Sequence, residues 1–280
     1  MYGCAPNGAL FVRLRSLSSF SKKNSRDFSG VLGALPLGEG VAENAVVELV
    51  ETSAVGAQGE TSPILEKIMR ERYEEELRKL HISIINMGKM IEIAIESSML
   101  ALMGRDVEAA KQVAKNDEVI NDMERDIEAL CMKLLLQQQP MATDLRLITA
   151  ALKMITDMER IGDHAVDVAD LVLNVPDCKY GKMNEIIELS TEIINMLHDA
   201  VQSYIEKDYN KAKNVIAHDD VIDDLYHAIK ADLVQKIRET SEGETILDYL
   251  LIAKYIERIG DHATNIAEWV IFALTGERLK

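Results

Sequence analysis

The chain has 280 residues with 31 basic and 47 acidic side chains, a net charge of −16 and an isoelectric point near 4.9. That acidity excludes an ordinary nucleic-acid binder, whose phosphate contacts need clustered Lys and Arg. Hydrophobic residues make up 48% but aromatics only 5%, with 13 Met and one Trp, which favours packed helices over a β-sandwich.

Cys4, Cys131 and Cys178 form no CxxC pair, so a thiolate zinc site and a disulfide framework both fail, and a reducing cytosol follows. No run reaches the roughly 18 consecutive apolar residues of a membrane span. The first 68 residues differ from the rest: they hold 8 of the 15 glycines and 3 of the 5 prolines. Their opening stretch carries Arg13, Arg15, Lys22, Lys23 and Arg26 with many serines and no acid. Two readings fit, an organellar transit peptide or an extension upstream of a true start at Met69. Met69-Arg70-Glu71-Arg72 opens a helical pattern at once, which favours the second. Residues 1–68 are accordingly expected to be a disordered extension or a mis-assigned start.

From Met69 onward apolar residues recur at intervals of three and four, with Pro and Gly mainly at breaks. The pattern predicts an all-α protein with helices over Met69–Met103, Asp106–Gln138 and Met141–Asn174. Three more follow a break at Pro176–Gly181, over Asn184–Lys207, Asp208–Thr240 and Glu244–Leu274. Asp106 is placed to cap the second helix and Pro140 to open the third.

The second trio of helices copies the first. Asp106, Ala110, Lys111, Val113, Asp117, Val119, Ile120 and Asp122 recur 102 positions later as Asp208, Ala212, Lys213, Val215, Asp219, Val221, Ile222 and Asp224. Glu159-Arg160-Ile161-Gly162-Asp163-His164-Ala165 returns unchanged at Glu257–Ala263. A duplication follows, predicting two tandem three-helix bundles over residues 69–177 and 178–280.

Acids form a stripe beside the core in each copy. With Met158 on the core face, Glu159, Asp163, Asp167 and Asp170 lie about 100–180° away. On the preceding helix Asp117, Asn121 and Glu128 lie about 60–100° from Ile120. A short break at Pro140 makes the two helices antiparallel, so stripes rotated in the same sense meet in one groove. Asp117 stands about 21 residues before that break, and Glu159 and Asp163 about 18 and 22 after it, so their heights agree. The second copy sets Asp219 and Asp223 opposite Glu257 and Asp261, with Asn265 and Glu268 continuing the row. Converging carboxylates repel unless they are protonated, solvated or bridged by cations. Oxygen-only donors suit hard or borderline divalent and trivalent ions, so a multinuclear metal patch competes with a plain solvated acidic face. Gly162 and Gly260 in mid-helix predict close packing of a neighbour. His164 and His262 point away from the groove towards surface or supporting positions.

The doubled heptapeptide, the Asp-rich segments Asn116–Asp122 and His218–Asp224, and the opening Met69-Arg-Glu-Arg-Tyr-Glu-Glu-Glu-Leu resemble the PhoU family from Met69 to about Gly276. The resemblance implies two three-helix bundles related by a pseudo-two-fold axis. It also implies surface metal clusters of Fe, Zn, Mn or Mg on E/DxxxD motifs. Here the ligands would be Asp117, Asn121, Glu159, Asp163 and Asp167 in one copy, and Asp219, Asp223, Glu257, Asp261 and Asn265 in the other. Asn121 and Asn265 depart from the motif, each offering one neutral oxygen. The resemblance further implies a non-catalytic negative regulator of phosphate uptake and the phosphate regulon. Such a regulator links a phosphate ABC transporter ATPase to a sensor histidine kinase, as a homodimer in the cytoplasm, peripheral to the inner face of the plasma membrane.

Two other readings compete: a metal-dependent carboxylate-bundle hydrolase and a passive helical scaffold. No Glu-x-x-His precedes any of the six histidines, as a di-iron bundle would need. No Gly-rich phosphate loop, G-x-S-x-G elbow or Cys–His nucleophile pattern is present. His198-Asp199 and His218-Asp219 resemble a phosphohydrolase pair, but no outlying His and Asp complete it.

Overall fold

Long amphipathic segments of Leu, Ile, Met and Ala fold here as six helices. The computed structural model describes residues 63–137, 142–171, 183–239 and 243–278. Among them run α1 (Pro63–Gly104), α2 (Val107–Gln137), α3 (Ala142–Leu171), α4 (Met183–Glu206), α5 (Tyr209–Ile237) and α6 (Gly243–Thr275), and no strand. The expected extension lies outside the described residues up to position 62. α1 begins six residues before the expected Met69. The chain divides into a unit ending at Glu74 and a unit over Glu75–Lys280, and the second carries the architecture that follows.

Each link between a first and a second helix is built identically. Asp106 accepts from the amides of Glu108 and Ala109, both at 3.0 Å, and Asp208 accepts from those of Asn210 and Lys211. The residues just before, Arg105 and Lys207, adopt left-handed conformations with φ of 48° and 55°. They turn the chain so that the amides of Asp106 and Asp208 close onto the carbonyls of Ala101 and Ser203.

Apolar stripes then pack the trios. On α3 the buried set includes Leu147, Ala151, Met154, Ile155, Met158, Gly162, Ala165 and Ala169, the face expected from their spacing. Within the first bundle Lys133 of α2 reaches the buried Glu76 of α1 at 2.9 Å. Within the second, Gly260 of α6 lies against Ile222 of α5 and Ile193 of α4.

The bundles meet along α3 and α6, the most extensive helix pairing among those resolved. The two helices run antiparallel: Arg146 bonds the Ala273 carbonyl, Asp157 faces His262 and Asn265, and His164 lies against Tyr255. α1 and α4 also run antiparallel, with Gly88 against Val201 and Glu92 bonded to His198. Two like trios joined this way have pseudo-two-fold symmetry. No described helix is long and apolar enough to cross a membrane.

Candidate metal grooves between paired helices

The second and third helices of each bundle are antiparallel neighbours, and their acids meet. In the first groove, Asp117 of α2 packs its Oδ1 over Gly162 of α3, so closely that a Cβ there would stand 3.0 Å away. Asn121, one turn along, donates to Asp117 Oδ2 at 3.1 Å. Burial and then the charge of Asp163 push the Asp117 carboxyl above its ordinary value. Glu159 is raised by burial first and then by Asp163, with Glu124 and Asp117 adding to the effect. Arg160 partly balances this at the mouth, 2.9 Å from Asp163 and 3.5 Å from Glu159. Asp117 Oδ1 and Asn121 Oδ1 are buried oxygens with no donor.

The second groove repeats the plan with different neighbours. Asp219 of α5 accepts from Thr264 of α6 at 3.2 Å, where the first groove has Val166 at the equivalent place. Glu257 is buried and paired with Lys254, whose ammonium also stands 5.2 Å from the Tyr226 ring centre. Asp261 reaches solvent, yet its carboxyl is pushed up to about 6 by burial of its inner side and by Glu257, Asp219 and Asp223, against Lys254. Asp223 is exposed. Arg258, the counterpart of Arg160, makes no ion pair among the described residues.

Two of the expected ligands have other contacts. Asp167 is held by His164 at 3.1 Å, and Asn265 donates to Asp157 of α3 at 3.2 Å. His164 and His262, expected at surface or supporting positions, are largely covered, and His164 supports Asp167. Their rings stand 5.6 Å apart between α3 and α6, and His262 bonds Asp157 at 2.8 Å. The remaining interhelical histidine pairs are separate, His198 with Glu92 and His218 with Glu192. Spacing alone missed Asp157 and Tyr255, whose partners lie across the α3–α6 seam, and Tyr226 and Lys254, which meet between the consecutive helices α5 and α6. Glu124 was not among the expected site residues; burial and Glu128 raise its carboxyl, against Arg160, Arg125 and a Thr156 bond.

Oxygen donors facing one another across two helices, with orphaned oxygens at Asp117 and Asn121, fit a hard cation. Among the described residues no three or more His, Cys, Asp or Glu side chains form a preformed cation cage. Ligation would therefore require carboxylates to turn inward from the groove walls.

Fold and grooves together define the class: a duplicated all-helical protein with an acid-lined groove in each half. A PhoU domain profile matches twice, over residues 84–172 and 186–270. A phosphate-specific transport system accessory protein PhoU homolog of Clostridium acetobutylicum is 36% identical over 213 residues, covering 75% of this chain and 97% of that protein. Its counterpart from Xylella fastidiosa is 38% identical over 74% of this chain and 87% of its own length. The crystal structure of PhoU from Pseudomonas aeruginosa superposes with a TM-score of 0.68 at 32% identity, over 73% of this chain and all of that one. The phosphate transport system regulatory protein PhoU from Streptococcus pneumoniae gives 0.70 at 26% identity, over 74% and 99%. The chain belongs to the PhoU family.

Proposed function

We propose that this chain is an accessory protein of a phosphate-specific transport system and acts there as a negative regulator, without catalysis. In this reading it holds the phosphate regulon off when phosphate is plentiful by coupling the transporter's ATPase to a sensor histidine kinase. It works as a homodimer at the cytoplasmic face of the membrane. The supporting observation is the match to relatives named for that transport system over nearly their whole length, both repeats included. The two repeats span residues 69–177 and 178–280, and regulation comes from partners that bind two states with different affinity.

Cations are part of the proposal. Asp117, Asn121, Glu159 and Asp163 would hold them in the first groove, with Asp167 at its end. Asp219, Asp223, Glu257 and Asp261 would do so in the second, with Asn265 at its end. A divalent or trivalent ion such as Fe, Zn, Mn or Mg would cancel the repulsion between helices and stiffen each groove as a docking face.

A deletion strain grown in high phosphate should express alkaline phosphatase constitutively. Full repression in a strain lacking every paralogue would sink the regulatory role. Elemental analysis of the Asp163→Ala, Asp261→Ala variant should show metal lost relative to the parent. Undiminished content would remove these residues from the ligand set and leave the regulatory role to stand or fall separately.

A further inference from the structure

A chain of contacts crosses the seam between α3 and α6 and ends on both grooves. Asp167, at the end of the first groove, accepts from His164 Nδ1 at 3.1 Å. The His164 ring stands 5.6 Å from that of His262 with a tilt of 34°, within the usual range for packed rings. His262 Nδ1 lies 2.8 Å from Asp157 Oδ1, and Asn265, at the end of the second groove, donates to that same oxygen at 3.2 Å. Four contacts thus lead from Asp167 to Asn265, and every side chain on the route is partly buried.

The seam does not need these polar groups in order to close. Ile161, Ala165, Ile259 and Ala263 are buried and supply its apolar packing. Nor does the pseudo-symmetry produce the route by itself. Tyr255 holds in the second copy the place that Asp157 holds in the first, so His164 meets an aromatic ring at 5.7 Å where His262 meets a carboxylate. Asp157 therefore serves two side chains of the other bundle. Each ring also adjoins a groove acid in sequence, His164 after Asp163 and His262 after Asp261, about 100° around the same turn.

A cation that recruits Asp167 withdraws the carboxylate from His164. One that recruits the Asn265 oxygen turns the amide plane and draws its nitrogen away from Asp157. Either event loosens the hydrogen bonds that hold a ring in place, and each ring is packed against the other. The loosened contact is shared, so the first ion bears its cost and the second does not bear it again, which makes the coupling positive. Direct repulsion between two bound cations has the opposite sign. The sign therefore separates the two causes.

We propose that the His164–His262 pair couples the two grooves, so that a cation in the first strengthens binding in the second and, by reciprocity, the reverse. Asp157, His164 and His262 act as positioning residues and are not ligands. This coupling rests on the cation reading above and adds to it a way for one half of the protein to register the state of the other.

The probe is lanthanum(III), a diamagnetic hard ion that takes oxygen donors in preference to imidazole, titrated into the full chain with isotope-labelled histidines. In the Asp219→Asn, Asp261→Asn variant, whose second groove is disabled, filling the first groove should still move the His262 imidazole resonances. Adding His164→Phe should let the first groove fill and hold those resonances fixed. By calorimetry, Asp163→Ala should weaken the second groove at least ~5-fold, the lower end of the usual range for coupled sites. In a His164→Phe, His262→Phe background it should leave the second groove unchanged. If that double variant fails to fold by circular dichroism, Asp157→Asn, which keeps the shape, should still reduce the coupling. His262 resonances that ignore the first groove would overturn the proposal, as would a second groove whose affinity Asp163→Ala leaves unchanged or raises. Lanthanum that binds neither groove would overturn the cation reading and this coupling together, whereas two grooves that fill independently would overturn the coupling alone.

Discussion

Asp261→Asn removes one negative charge from the second groove at nearly constant shape, and the sign of its effect should depend on cation. In the metal-free protein, burial and the acids around it hold the Asp261 carboxyl at about 6, against an ordinary value of 3.8. The folded state then binds the proton more tightly than the unfolded chain. Stability therefore falls as pH rises from about 4 to about 6, and the whole penalty is present above 6. A shift of about two units sets a ceiling of ~3 kcal/mol at 1.36 kcal/mol per unit. Because the side chain reaches water, screening should leave ~1 kcal/mol. In chelator at pH 7.5 the Asn variant should thus melt about 2–4 °C above the parent, and at pH 4 the gain should vanish. With cation at 100 times its Kd the order should invert, since ligand binding adds about 2.7 kcal/mol to a protein that holds it. Thermal melts by circular dichroism, with and without chelator at both pH values, decide the matter. A variant less stable than the parent in chelator at pH 7.5 would refute the electrostatic reasoning. Failure to invert with cation would remove Asp261 from the ligands.

Gly162→Ala should change stability by less than about 1 kcal/mol, because helix propensity gains roughly that much while the tip of Asp117 at 3.0 Å and the Ile120 side chain at 3.3 Å must both yield slightly. Calorimetric titration should nonetheless show weaker cation binding in the first groove; unchanged affinity would mean Asp117 is not a ligand. Lys207→Gly should stabilise by about 0.5–1 kcal/mol in urea melts, by relieving a left-handed conformation that costs a side chain roughly that amount. Burial and Lys207 hold His81 below its ordinary value of 6.5, and its Nε2 is buried without a partner. The folded state therefore binds fewer protons there, and stability should drop as pH falls below 6.5. His81→Phe keeps a ring against Tyr204, 5.5 Å away, and should flatten the drop between pH 7 and 5.

Most helix ends fell within three residues of expectation because each helix is long and strongly periodic. α1 was the exception: the charged run after Met69 drew the boundary there, although Ser62-Pro63 is itself a helix-opening pair. The meeting of Asp117 with Glu159 and Asp163 was legible because a short link leaves two helices only one way to pair. The seam between α3 and α6 was not legible in the same way. A supporting place for His164 was among the expectations and its bond to Asp167 fits that, but what covers its ring is Tyr255 and the second copy of the same heptapeptide, and no local period encodes how two bundles associate. Asn265 escaped for the same reason, since Asp157 belongs to the other half.

That seam accounts for the histidines of the heptapeptide, while Gly162 and Gly260 serve the grooves, packing on Asp117 and Ile120 of α2 and on Ile222 of α5. Ile161, Gly162 and Ala165 are buried, as are Ile259, Gly260 and Ala263, and the two histidines pack on one another across the pseudo-two-fold. A change in one copy must be accommodated by the other, because the surfaces are parts of the same contact. Groove positions outside the heptapeptide face α2 or α5, which are free to differ. There Val166 corresponds to Thr264, Thr156 to Lys254, Glu124 to Tyr226 and Glu128 to Lys230. The first groove thus keeps Asp117 Oδ1 unsatisfied among carboxylates, while the second supplies a hydroxyl to Asp219 and an ammonium to Glu257. Displacing Lys254 from a buried carboxylate opposes cation entry, whereas Arg160 lies at an exposed mouth and can swing into water. The first groove should therefore fill at lower cation concentration. Exchanging Thr156 and Lys254 should reverse the order of the two phases in a calorimetric titration, and phases that keep their order would show that these neighbours do not set cation affinity.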